Sequence, residues 1–174
     1  MYYKARYESP LGNILLTATD DALCGLSFDT QTPCGESEAA VFGDNRILRE
    51  VRKWLDAYFA GERVSPESLP LEPQGSAFAR SVWQILAEIP YGETLTYDEI
   101  AKRIAAERGV AKMSAQAVGG AVGGNPIPVI IPCHRVVGAG GNLTGYTGGL
   151  NIKVGLLKIE GFDMSRFKFP KNRA

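Results

Sequence analysis

The chain has 174 residues, 45% of them hydrophobic and 22% charged, with 19 basic and 19 acidic side chains in formal balance. This is globular composition, enough for one ordinary domain or two small ones, and it excludes collagen-like and disordered chains. No run of about 18 apolar residues is present, the start MYYKARYESP holds no apolar core of a secretory signal, and a single histidine cannot furnish a metal site that needs two or more imidazoles.

Three short strands come first in chain order. Tyr3, Ala5 and Tyr7 alternate, then Ile14, Leu16 and Ala18, and Leu23, Leu26 and Phe28 suggest a third. The turn signals Ser9-Pro10 with Gly12-Asn13, and then Asp20-Asp21, separate them. Asp44 is expected to cap a helix with Ile47, Leu48, Val51, Trp54, Leu55, Tyr58 and Phe59 on its apolar face. Gly61 stands where a left-handed residue ends such a helix. These elements read as a small antiparallel sheet covered by one helix, and none of them carries candidate chemistry. Cys24 and Cys34 match no common zinc spacing and have no histidine nearby. With Cys133 they form an odd set, expected to be free thiols in a reducing cytoplasm.

The stretch GERVSPESLPLEPQGS, residues 61–76, has three prolines, two glycines and no helical period, so it reads as a linker or a long crossing loop. It also divides the charge. Residues 1–75 hold 7 Lys/Arg and 12 Asp/Glu, net −5, and residues 76–174 hold 12 and 7, net +5. The overall balance argues against nucleic acid, whereas the asymmetry points to an anion-binding second half.

Beyond the linker the chain becomes helical. Ser76 caps a predicted helix with Phe78, Val82, Ile85, Leu86 and Ile89 on one face, stopped by Pro90. Thr96 and Glu99 make a T-x-x-E capping box before Ile100, Ala101, Ile104 and Ala105, with an end near Gly109. Ser114 caps a third helix, SAQAVGGAVGG, built almost wholly of Ala, Gly and Val. Glycine is poor in helix interiors, so something must approach closely there. Tight helix–helix packing is one reading. A recognition helix pressed into a nucleic-acid groove is the other, with its N-terminal amides near phosphate. Three short helices in this order are compatible with a helix-turn-helix.

The segment NPIPVIIPCHRVVG, residues 125–138, is the most informative. Val129, Ile130 and Ile131 form a short run resembling a buried strand, bracketed by prolines that fix the backbone and remove amide donors. Cys133 then precedes the only histidine, His134. A buried structural thiol beside a hydrogen-bonded imidazole is the plain reading. Against it, the pair sits in a rigid turn, Arg135 adds positive charge that favours thiolate, and a neutral imidazole can take the thiol proton directly or through one water. A thiolate is soft and strongly nucleophilic, suited to alkyl carbons, carbonyl carbons and disulfides.

The core IPCHRVV, with AVGGAVGGNP upstream and GYTGGL downstream, resembles the O6-alkylguanine-DNA alkyltransferases (methylated-DNA–protein-cysteine methyltransferases). The likeness is close over roughly residues 76–170. It implies a two-domain α+β or α/β fold. Residues 1–75 would form a ribonuclease-H-like domain and linker, and residues 76–174 a winged-helix-like helix-turn-helix domain for DNA binding and alkyl transfer. It further implies minor-groove binding of double-stranded DNA, a flipped alkylguanine and transfer of the alkyl group to Cys133 as a thioether, once per molecule. O4-alkylthymine is an implied further substrate. By the same resemblance His134 removes the Cys133 proton through a water, Glu160 orients His134, Asn125 is the hinge between recognition helix and active-site turn, and Tyr97 donates to the guanine. Val136 supplies a carbonyl acceptor, Tyr146 and Thr147 close over the base, and Pro128 walls the pocket. Ser114, Ala115, Gln116, Ala117, Gly119, Gly120 and Arg135 fall on the DNA-binding side. No cofactor, metal or membrane is implied, and a cytoplasmic monomer is expected.

Two departures from the family pattern stand out, one at Gln116 and one at Gly123 and Gly124. Gln116 stands where relatives carry the arginine that fills the gap left by the flipped base, so a weaker or more salt-tolerant grip is expected. Gly123 and Gly124 stand where some relatives have basic or imidazole side chains. A lesion sensor without transfer activity and a thiol hydrolase are the competing readings. The first is disfavoured by the presence of Cys133, His134 and Glu160 together. The second would need an oxyanion hole and a second source of imidazole.

Overall fold

The computed structural model describes residues 1–28, 40–146 and 149–170. Alternating apolar side chains produce β1 (Tyr3–Ser9) and β2 (Gly12–Ala18), and β3 (Leu23–Phe28) follows, buried along its whole length. β1 and β2 pair antiparallel from Tyr3 opposite Ala18 to Ser9 opposite Gly12, and β2 pairs antiparallel with β3. The period of two puts Ala5, Tyr7, Ile14, Leu16 and Ala18 on the buried face. A two-residue strand, β4 (Val41–Phe42), adds parallel to β1, so the sheet is mixed, in the order β3-β2-β1-β4. A strand that short has no alternation to read.

Helix α1 (Arg46–Phe59) buries Ile47, Leu48, Val51, Trp54, Leu55 and Tyr58, five of them with no exposed surface. Its cap is Asn45, not Asp44. The Asn45 Oδ1 accepts from the Leu48 amide at 2.8 Å and its Nδ2 donates to the Thr19 carbonyl at 2.9 Å, a second anchor that Asp44 could not provide. Asp44 instead pairs with Arg49 in solvent. Residues 61–76 cross over the molecule as a docked loop. The Leu23 amide donates to the Pro70 carbonyl at 2.9 Å and the Glu72 amide to the Leu23 carbonyl at 2.8 Å, which occupies part of the outer edge of β3.

The second half contains α2 (Ala77–Glu88), α3 (Tyr97–Arg108), α4 (Ala115–Gly123) and α5 (Leu150–Ile159). Ser76, Thr96 and Ser114 cap the first three, accepting from the amides of Ala79, Glu99 and Ala117 at 3.1, 3.1 and 3.2 Å. Removing one such cap costs about 1 kcal/mol. Gly109 ends α3 in the left-handed region. Val82, Ile85 and Leu86 of α2, Ile100 and Ile104 of α3, and Val118 and Val122 of α4 meet in one core that is continuous with the sheet and α1. Further ties link the halves. The Leu26 amide of β3 donates to the Pro126 carbonyl at 2.9 Å, and Leu11 sits so close to α5 that a Cβ on Gly155 would lie 2.5 Å from it.

The run Val129–Ile131 is buried, as its composition requires, but it is not a strand. Prolines 126, 128 and 132 cannot donate to a ladder, and the Ile131 amide folds back onto the Ile127 carbonyl at 2.9 Å. Among the described residues the strands of this half are two two-residue segments, β5 (Leu95–Thr96) and β6 (Val136–Val137), joined in parallel. That pairing brings the first residue of α3, Tyr97, beside the turn that carries Cys133. Among the described residues no helix is long and apolar enough to cross a membrane.

Candidate active site

Cys133, His134 and Arg135 form one 3₁₀ turn between Pro132 and β6. Asn125, just past the end of α4, holds the approach to it from both sides. Its Nδ2 donates to the Ile131 carbonyl at 2.8 Å and its Oδ1 accepts from the Ile127 amide at 3.0 Å. Inside this frame Val129 adopts φ +74°, a region that a β-branched residue enters only under constraint. Such strain costs about 1–3 kcal/mol and persists where neighbours over-determine the backbone.

Cys133 is 4% exposed. Burial pushes its thiol above the usual range, with Asn125, Tyr146 and Lys153 pulling the other way, so the resting group at neutral pH is a thiol. Burial likewise lowers His134, against the pull of Glu160, and keeps the imidazole neutral. His134 Nε2 bonds Glu160 Oε2, while Nδ1 has no partner among the described residues. Burial alone would raise Glu160, but the bonds from His134 and Arg135 outweigh it and hold the carboxyl at about 2. A carboxylate can only accept, so Nε2 carries the imidazole proton and Nδ1 keeps a lone pair. The result is a neutral base next to a buried thiol.

Glu160 is fully engaged. Oε2 also accepts from the Tyr58 hydroxyl at 2.8 Å, and Oε1 accepts from Arg135 Nε at 2.8 Å and the Gly92 amide at 3.3 Å. Arg135 donates a further bond to the Ile89 carbonyl at 2.6 Å and lies over the Tyr91 ring. This corrects two expectations. Arg135 is 3% exposed, so its guanidinium serves Glu160 and is not offered to a DNA phosphate. The cation that acts on the Cys133 thiol is Lys153.

Lys153 was not legible as a functional residue, although a signal existed. Lys153, Leu156, Leu157 and Glu160 share one helix face by their spacing of three, four and seven, which sets a lysine among core residues. It is 1% exposed, donates to the Val136 carbonyl at 2.8 Å, and burial lowers its ammonium to about 8. Tyr58 was legible only as core. Thr144, equally unforeseen, pairs its hydroxyl with that of Tyr97 at 2.6 Å.

A cavity of about 40 Å³ opens onto the thiol, lined by Tyr97, Gly119, Val122, Gly123, Cys133, Gly145 and Tyr146. Among the described residues the buried Tyr146 hydroxyl has no hydrogen-bond partner within bonding distance, yet it lies near enough to the sulfur for each to perturb the other's ionisation. Pro128 is buried in the Asn125 turn, Val136 is engaged through its carbonyl, and Thr147 lies outside the described residues. Ser114, Ala115, Gln116, Ala117 and Gly120 are exposed along α4, with Gly119 half-buried against Tyr97. A Cβ at Gly120 or Gly123 would meet nothing within 4 Å, and one at Gly119 only an ordinary contact at 3.9 Å. Packing inside the molecule therefore does not require these glycines. Gly120 and Gly123 are exposed and Gly119 is half-buried.

Comparison with known proteins agrees with this organisation. The model of the 6-O-methylguanine DNA methyltransferase ribonuclease-like domain matches residues 1–73, and that of the DNA binding domain of the same family matches residues 77–162. The methylated-DNA–protein-cysteine methyltransferase of Methanosarcina acetivorans is 47% identical over 92% of this chain and 99% of its own length. That of Haemophilus influenzae is 39% identical over 91% and 86%. The fold matches the crystal structure of Mycobacterium tuberculosis OGT in complex with DNA at a TM-score of 0.79, with 39% identity over 95% of this chain and 94% of that one.

Proposed function

Because this chain belongs to the 6-O-methylguanine DNA methyltransferase family, we propose that it repairs DNA by moving the alkyl group of an O6-alkylguanine onto Cys133, in a single irreversible turnover. The observation that carries this reading is the buried thiol beside a neutral imidazole whose Nδ1 lone pair is kept free by the bond from Nε2 to Glu160. Nδ1 takes the thiol proton through one bridging water. The sulfur attacks the alkyl carbon as the carbon–O6 bond breaks, and the departing guanine takes its proton from the Tyr97 hydroxyl. The product is a thioether. No group beside it can hydrolyse a carbon–sulfur bond, so the molecule is spent.

A base inside a stacked duplex cannot be reached, and a poorly paired alkylguanine costs less to extrude. We take residues 76–174 as the domain that binds duplex from the minor groove. In it the open side of α4 (Ser114, Ala115, Gln116, Ala117, Gly119 and Gly120) lies against the backbone, and Gln116 fills the gap in the stack. The Val136 carbonyl and Pro128 belong to the wall around the flipped base. A cavity of about 40 Å³ is room for a water and far too small for a purine, so uptake of the base displaces Tyr146 and Gly145. Residues 1–75 support this domain. The protein works as a monomer in the cytoplasm, whose reducing conditions keep Cys133 a thiol.

Stoichiometry tests the reading. With excess duplex carrying radiolabelled O6-methylguanine, protein-bound label should rise to one methyl per molecule and stay there. Tight binding with no label would indicate a sensor, and continued release of methyl with no bound label would indicate true turnover. Either result contradicts the proposal.

A further inference from the structure

Among the described residues of the N-terminal half, Tyr58 reaches the proton relay. Tyr58, in the last turns of α1, has no exposed surface, and its hydroxyl donates to Glu160 Oε2 at 2.8 Å. The same hydroxyl oxygen lies 3.4 Å from His134 Nε2. Its ring is held by stacking on Trp54, with edge contacts to Phe59, Tyr91 and His134. A buried tyrosine needs only one acceptor for its proton, and many carbonyls could serve. This one bonds the carboxylate oxygen that also holds the imidazole.

We infer that Tyr58 is a positioning residue of the transfer relay: its hydroxyl, clamped on Glu160 Oε2 beside Nε2, holds that oxygen in place and draws carboxylate charge away from the imidazole. The inference rests on the reading of His134 as the base for Cys133. Oε2 shares its lone pairs between two donors, so each bond is weaker than it would be alone. Without the tyrosine donor, the carboxylate would turn its whole charge on Nε2–H and favour the protonated ring. A protonated ring has no lone pair at Nδ1 and cannot take the thiol proton. The other groups that act on this pair stay in place in either case: Arg135 in the turn, Lys153 on α5, and Tyr91 and the Gly92 amide after α2, with the Cys133 thiol and Tyr146 beyond them. Helix α1 thus contributes to the chemistry as well as to the core.

His134 is the chain's only histidine, so its ring can be followed by NMR without assignment. In the wild-type protein the ¹⁵N shifts should show a proton on Nε2 and a bare Nδ1 at neutral pH, and a ring protonated on Nδ1 would overturn the inference. In Tyr58→Phe the ring packing survives, so the protein should still fold, with a melting temperature lower by only about 3–10 °C. The His134 midpoint should rise by about one pH unit, the scale of a lost hydrogen bond to a charged group. The acid limb of the methyl-transfer rate should rise with it. An unmoved midpoint, with transfer slowed equally at every pH, would make Tyr58 merely structural. If the wild type transfers no methyl while the midpoint shifts as stated, the positioning role stands and the proposed function fails.

Discussion

Replacing Glu160 with glutamine is expected to slow alkyl transfer by roughly 10²–10⁴-fold and to cost about 3–5 kcal/mol of stability. The carboxylate accepts four bonds, from Tyr58, His134, Arg135 and the Gly92 amide. An amide puts an N–H against one of these donors and leaves the buried Arg135 guanidinium uncompensated. The imidazole then loses the partner that keeps its proton on Nε2. The stability cost also has a pH signature. The Glu160 carboxyl is lowered from 4.5 to about 2 in the folded protein, so its contribution is complete above the ordinary carboxylate range and is lost as pH falls through about 2. Urea unfolding of wild type and variant should differ most near neutrality and converge on acidification. A rate within a few-fold of wild type, or a stability gap independent of pH, would contradict the role given to Glu160.

Asn125→Ala should be nearly as severe, for a backbone reason. The change leaves the buried Ile127 amide and Ile131 carbonyl without the side chain that pairs them, each a loss of about 1–3 kcal/mol. In a chain of this length that lowers the melting temperature by on the order of 10 °C. The same two bonds hold the turn in which Val129 is strained. Once they are gone, relaxation of that strain displaces Cys133 from the His134 axis, and a shift of about 1 Å is enough for a loss on the order of 100-fold in rate. Thermal melts and single-turnover transfer on the same preparation separate the two effects. A destabilised variant that still transfers at the wild-type rate below its melting temperature would show that Asn125 holds the fold alone.

The sequence discloses the parts of this molecule whose physics is local. Strand alternation, the Ser76, Thr96 and Ser114 caps, and the Gly109 stop are all written in neighbouring residues and stand in the structure. The Asn45 cap was missed because its second bond, to Thr19, comes from another element. The strand read into Val129–Ile131 failed because burial and β-propensity cannot show that three prolines and the Asn125 side chain have already taken the backbone elsewhere. At the site, Cys133 and His134 were legible because they adjoin in the chain, and Glu160 through family resemblance. Tyr58, some hundred residues from the carboxylate it bonds, has no signature of its own. Arg135 was misread for the complementary reason: an arginine in a basic half suggests phosphate, and only the fold shows that it is spent on Glu160. The charge balance has a similar history. The zero total averages a −5 half against a +5 half, and the basic half carries the thiol, the imidazole beside it and the open face of α4, while among the described residues Tyr58 reaches the site from the acidic side.

The central claim, that Cys133 is the alkyl acceptor, is tested most directly by intact mass and peptide mapping after incubation with duplex DNA carrying O6-methylguanine. The protein should gain the mass of a single methyl group, on the peptide that contains Cys133, and Cys133→Ser should gain none while still binding the duplex. A methyl group found on Cys24 or Cys34, or retained in full by Cys133→Ser, would contradict it.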